Sequence, residues 1–291
     1  MALARWASPA TARAIGQVPV VDRRPPQTAC PPCVWCSGSK TEKLAATVET
    51  LESCRLFAGV DHAAIVQISR ECSPVRVESH RKLFEEGDKC QGLWVIARGR
   101  MRLHHTDADG RQLAMKFFKP GDAIQLSAAV DGGSHGLGGT ALEDSMFLLV
   151  PRTTLQRTLE TQPMFARHVV DALCLMLRRV NVGATTREFR DAASRVRCAL
   201  IRFAYEYGVP SEHGVRINYR LTRQDIADYV GVTVETAIRV MSQMQHEGVL
   251  VSDDSKLIEI PDFAEFTRAA GCAFCQFNCA EVFSPAGTPA G

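Results

Sequence analysis

The chain has 291 residues, of which 46% are hydrophobic and eleven are cysteines, with 34 Lys and Arg against 32 Asp and Glu. That length and apolar content supply two ordinary domains, and no window approaches about 18 uninterrupted apolar residues, which excludes a membrane-spanning helix. A formal net charge of +2 decides nothing about partners, and between Arg187 and Arg268 acids slightly outnumber bases, so any DNA contact has to come from local groups and not from a basic domain.

The amino-terminal stretch contains Arg5 and Arg13 but has neither a long apolar core nor a signal-peptidase site. Residues 1–29 therefore read as a disordered leader, stiffened at its end by Pro25 and Pro26. Cys30, Cys33 and Cys36 follow as Cys-x-x-Cys-x-x-Cys. Short loops let several sulfurs converge on one edge of a metal cluster, and soft thiolates favour iron or zinc over hard ions. A three-thiol run needs a fourth ligand. Cys54 is the nearest in sequence, with Cys72 and Cys90 behind it. An iron–sulfur centre leads among the readings, followed by structural zinc and by free or redox-paired thiols.

Between residues 75 and 150, short β-prone runs (75–77, 93–97, 101–105, 113–118 and 147–150) alternate with turn signals at 86–88, 107–110 and 120–122. That alternation predicts an antiparallel barrel or jelly roll. His104 and His105 adjoin in one run, so they point to opposite faces and cannot chelate one ion together. The glycine-rich stretch 132–139 lacks a strand-to-helix setting and reads as a flexible hairpin, not a phosphate cradle.

A long amphipathic helix is predicted over 161–186, where Phe165, Val169, Leu173, Met176 and Val180 recur at near-heptad spacing as a core or subunit seam. Residues 221–248 then read as two short helices around a tight turn. Thr222 caps the first, with Asp225 as its capping-box partner and Ile226, Ala227 and Val230 as its apolar face. Gly231 makes the turn and Thr233 caps the second helix, whose inward face is Val240, Met241 and Met244. Thr233, Val234, Glu235, Thr236, Ile238 and Arg239 then form the edge that enters a DNA groove, and Arg223 opens the first helix beside it. Arg reaches the two acceptors of guanine, and Glu accepts from the amino group of cytosine. Apolar runs at 249–251 and 256–260 around a turn at 253–255 add a wing. Near the carboxyl end, Cys272, Cys275 and Cys279 form a second triplet, with Phe274 and Phe277 placed either to shield a metal or to pack a terminal helix.

Residues 221–248, with KLFEEGD at 82–88, LWVIARGR at 93–100 and FKPGD at 118–122, resemble the CRP/FNR superfamily of bacterial transcription regulators, and the likeness covers most of residues 50–270. It implies an α+β fold in which a cyclic-nucleotide-binding-type antiparallel β-barrel (jelly roll) occupies 50–160, a dimerisation helix 161–186 and a winged helix-turn-helix 187–270. A flexible cysteine-bearing segment at 1–49 and a cysteine-bearing tail at 271–291 flank these. It also implies a cytoplasmic homodimer on a palindromic double-stranded DNA operator, with RNA polymerase as a further partner. The carried-over base-reading positions are Glu235 and Arg239. Ile238 stands where FNR-type members usually place serine. FNR-type members hold a 4Fe–4S cluster on amino-terminal cysteines. This chain is similar in placing its run before the barrel, but its spacing is tighter and Leu148 occupies the place of the family's fourth ligand.

The residues argue against cAMP, the ligand expected of such a barrel. The stretch 123–127 lacks an acid for a ribose hydroxyl, and 132–139 lacks an arginine for a cyclic phosphate. No spaced Ser/His/Asp set or phosphate loop marks an enzyme. The expectation is a DNA-binding transcription regulator, an activator in the first reading, controlled by an iron–sulfur centre (4Fe–4S) that senses redox state, oxygen or nitric oxide. A regulator sensing a small organic ligand with structural zinc is the alternative, and an electron-transfer or metal-storage protein is a third reading.

Overall fold

A computed structural model describes residues 34–189, 191–212, 214–252 and 257–270, with residues 182–189 as backbone alone. Cys30, Cys33, the leader, the wing turn and the carboxyl-terminal cysteine triplet lie outside the described residues.

Helix α1 (Val34–Ser37) leads into α2 (Lys40–Ser53), which Ser39 starts. The Ser39 hydroxyl accepts from the Glu42 N–H while the Glu42 carboxylate accepts from the Ser39 N–H at 2.7 Å, satisfying two orphan donors of the first turn. A 3₁₀ turn (Arg55–Phe57) and α3 (His62–Glu71) follow, the latter capped by Asp61.

The chain then runs through β1 (Ser73–Val77), β2 (Lys82–Phe84), β3 (Gly92–Arg98), β4 (Met101–Thr106), β5 (Gln112–Phe118), β6 (Ala123–Ile124), α4 (Leu126–Asp131), β7 (Gly138–Ala141) and β8 (Ser145–Pro151). Two antiparallel sheets, ordered β1-β8-β3-β6 and β2-β7-β4-β5, form the jelly roll. Phe84, Ile96, Met101, Phe118, Ile124 and Phe147 fill its interior. The expected strands are present, and β2, β6 and β7 were not anticipated. The glycine-rich stretch corrects the sequence reading: Gly138 and Gly139 belong to β7, a central strand, not to a flexible hairpin. A Cβ on Gly139 would lie 2.6 Å from Phe84 Cζ and still closer to the Met101 methyl, so the missing side chain lets both fill the barrel.

Helix α5 (Arg152–Thr161) and the 27-residue α6 (Pro163–Phe189) close the barrel. Here the structure corrects the seam. Phe165 is fully buried and Val169 nearly so, both in the cluster of Leu51, Cys54, Phe57 and Leu148, and the Phe57 and Phe165 rings lie 4.8 Å apart. Leu173 packs partly against the same cluster. The start of the stripe is therefore claimed by its own barrel and is closed to a partner. Further along, Val170, Met176, Leu177 and Val180 are exposed.

The carboxyl-terminal domain comprises α7 (Ala192–Tyr207), β9 (Gly208–Ser211), β10 (Gly214–Ile217), α8 (Arg223–Val230), α9 (Val234–His246), β11 (Val251–Ser252), β12 (Ile258–Ile260) and α10 (Phe263–Ala269). Its sheet, β11-β12-β10-β9, extends the expected wing by the unanticipated hairpin β9–β10. The barrel contributes to this domain's core: Ala114 and Phe117 of β5 pack with Val196, Leu200, Phe203, Ile226 and Val230. Tyr207 and Tyr219 donate their hydroxyls to the Phe117 and Phe118 carbonyls at 2.8 and 3.3 Å.

Candidate nucleic-acid interface

Thr222 and Asp225 build the first helix of the motif as their spacing requires. The Asp225 N–H donates to Thr222 Oγ1 at 3.0 Å, and its carboxylate accepts from the Thr222 N–H at 2.9 Å. Gly231 ends α8 in the left-handed region at φ +70°, a conformation that favours glycine. Thr233 restarts the chain as α9 by accepting from the Thr236 N–H. Ala237, Val240, Met241 and Met244 are buried on one side of α9. Glu235, Ile238 and Arg239 are left exposed on another. Among the described residues neither Glu235 nor Arg239 has an ion-pair partner, so a guanidinium and a carboxylate one helical turn apart remain available for base edges.

The other expected contacts are placed differently. Thr233 and Thr236 bond to each other at 3.1 Å as part of the cap, and Val234 is half-buried. The Arg223 guanidinium lies 3.2 Å from Met241 Sδ and 3.4 Å from Gln245 Oε1, in the cleft between α8, α9 and the wing. Gln245 in turn donates to Ser252 Oγ of β11 at 2.7 Å, fastening α9 to the wing.

Sequence reasoning missed the polar contacts that aim this motif. Arg102 of β4 reaches Asp228 of α8 at 2.6 Å, and Arg100 bonds Glu143 and the Arg220 carbonyl. Behind them, Arg179 of α6 pairs with Glu206 of α7 at 2.8 Å. Burial near this pair holds the Lys116 ammonium below its ordinary pKa and pushes the Asp122 carboxyl up. These partners come from elements distant in sequence, and no local pattern announces them.

Of the thiols expected at a metal centre, Cys36 is exposed on α1 and Cys54 is buried at 1% exposure. Trp35, beside Cys36, packs against the apolar cluster that contains Cys54. Burial pushes the thiols of Cys54 and Cys72 up to about 12 and raises that of Cys90. Among the described residues no group of three or more His, Cys, Asp or Glu converges as a metal site.

A jelly-roll barrel, a long helix with an exposed apolar stripe, and a winged helix-turn-helix presenting Glu235 and Arg239 define a two-domain DNA-binding regulator. The chain matches the Cyclic nucleotide-binding domain over residues 74–162 and the Crp-like helix-turn-helix domain over residues 194–269. It is 25% identical over 217 residues to the CRP-like cAMP-activated global transcriptional regulator of Mycobacterium tuberculosis, covering 72% of this chain and 97% of that one. It is 24% identical over 181 residues to the Anaerobic regulatory protein of Bacillus subtilis, covering 62% and 76%. In fold it is similar to FixK2 from Bradyrhizobium japonicum, with a TM-score of 0.60 at 22% identity over 68% of this chain and 96% of that one. It is similar also to a CooA mutant from Carboxydothermus hydrogenoformans, with a TM-score of 0.61 at 17% identity over 69% and 88%. The chain belongs to the CRP/FNR family of transcription regulators, whose members bind DNA and act as dimers. Among the described residues no helix is long and apolar enough to cross a membrane.

Proposed function

We propose that this regulator binds a palindromic operator as a homodimer and that the state of its amino-terminal cysteines sets its DNA affinity. Cys30, Cys33 and Cys36 are the proposed ligands of an iron–sulfur centre, with Cys54 as the fourth. Such a centre would supply sensitivity to oxygen, nitric oxide or redox potential. The donor chemistry fits, since soft thiols are grouped within seven residues and Cys36 is exposed. Cys54 fits only in its deprotonated form, and its burial opposes that form.

One observation carries the reading. Cys54 immediately precedes the 3₁₀ turn Arg55–Phe57, whose Phe57 ring rests on Phe165 of α6 and whose Leu56 carbonyl lies 3.4 Å from His168 Nδ1. Exposing Cys54 would shift Leu56 and Phe57, and those residues support the start of α6. Helix α6 is in turn bound to α7 through Arg179 and Glu206. A local change at the thiol therefore has a packed route to the DNA-binding domain. cAMP is not the proposed signal: no arginine lies in residues 132–139, and His135 stacks on Phe84 at 4.0 Å inside this corner of the barrel.

The reading is tested by purifying C30S, C33S, C36S and C54S chains without oxygen and assaying iron and acid-labile sulfide. Each substitution is expected to lower both. A parent chain carrying zinc and no sulfide overturns the reading.

A further inference from the structure

We propose that Ile238 reads the C5-methyl group of a pyrimidine in the major groove, so that part of the operator is recognised by an apolar contact. The inference rests on α9 being the recognition helix, as the family and its exposed Glu235–Arg239 pair require.

Ile238 is 46% exposed. Several of the other large apolar side chains left exposed, Val170, Met176, Leu177 and Val180, lie along α6, the helix proposed as the subunit seam. Ile238 lies elsewhere, three residues after Glu235 and one before Arg239, on the face that meets DNA. Base edges in the major groove offer donors, acceptors and one apolar feature, the thymine methyl group. 5-Methylcytosine carries the same group on the same ring carbon. A serine at this position would exchange a hydrogen bond with a base edge; isoleucine can neither donate nor accept. Set against a bare carbonyl or amino group, it would strip that group of water without replacing the lost bond. Set against a methyl group, it buries apolar surface on both sides. Ile238 therefore selects for a methylated pyrimidine and also against the polar edges that compete with it.

The test uses the full-length dimer, kept anaerobic and, in parallel, after exposure to air, so that the cysteine state does not mask binding. Operators are enriched from random duplex DNA with the parent chain and with I238S and I238V. The parent and I238V are expected to fix a pyrimidine beside the base pairs read by Glu235 and Arg239, and I238S to relax that position alone. Where it is thymine, replacement by deoxyuridine removes only the methyl group and should weaken the parent about four-fold per half-site while leaving I238S unchanged. Where it is cytosine, 5-methylation should strengthen the parent by a similar factor. Equal binding of the methylated and unmethylated duplexes by the parent, or an unchanged motif with I238S, overturns the inference while sparing the DNA-binding reading. Failure of the parent to enrich any sequence in either state overturns both.

Discussion

Arg102, in the barrel, and Asp228, in the first helix of the DNA-binding motif, meet at 2.6 Å although 126 residues separate them. Their side chains are only 16% and 12% exposed, and Gln112 and Gln224 bond the same two groups from either side. The pair fixes α8 on β4 and β5, and α8 carries α9 through the Gly231 turn. Charge-assisted hydrogen bonds of this kind contribute about 1.5–3 kcal/mol. R102A and D228A, measured singly and together in urea unfolding, are expected to show a coupling of about 1–3 kcal/mol. Additive single effects would show that this pair does not couple the two domains, leaving the apolar core and the Arg100 and tyrosine contacts to hold them.

Arg239 carries the exposed guanidinium of α9, the helix proposed to read base edges. R239A is expected to lose roughly 1–3 kcal/mol of specific binding per half-site while its unfolding curve is unchanged. Titration of operator against unrelated DNA at matched salt separates this from a general loss of charge. An equal loss on both duplexes would assign Arg239 to phosphate contacts instead.

The two sides of α6 predict opposite outcomes. L177E places a charge on an exposed apolar face and should yield folded monomers in sedimentation, with M176E and V180E behaving alike. F165A removes a fully buried ring that touches Phe57 and should cost about 3–5 kcal/mol of stability. Dimeric L177E would place the subunit seam elsewhere.

Thiol chemistry separates the cysteines. The exposed Cys174 should react with iodoacetamide in the native protein at neutral pH. Buried Cys54 should react only after unfolding. Because burial raises its folded pKa from about 9.0 to about 12, the folded state favours the neutral thiol. Its contribution is complete below pH 9 and is lost as pH rises from about 9 to about 12. Rapid labelling of Cys54 in the native, cluster-free protein would show that the segment before the Arg55–Phe57 turn opens without unfolding.

Much of the DNA-binding motif was legible because its determinants are local. The Thr222–Asp225 box, the Gly231 turn and the Thr233 cap each act within four residues, and the structure shows all three. Strand β9 was not legible: Gly208–Ser211 contains glycine and proline, and only its place at the sheet edge makes Pro210 acceptable there. Strand β7 was hidden for a related reason, since its glycines serve Phe84 and Met101 on neighbouring strands. The periodicity of α6 marked an apolar helix but not which partner covers each residue. Its own barrel takes Phe165 and Val169, while Val170 and Leu177 remain outside.

The most direct test of the account is to follow visible absorption and operator affinity together as anaerobically purified protein is exposed to air. The protein is expected to be brown and to contain iron and sulfide, its colour fading in step with a change in operator affinity, and C36S is expected to lack both the colour and the response. Operator affinity that stays constant while the colour is lost, or an air response retained in a colourless C36S chain, would contradict the account.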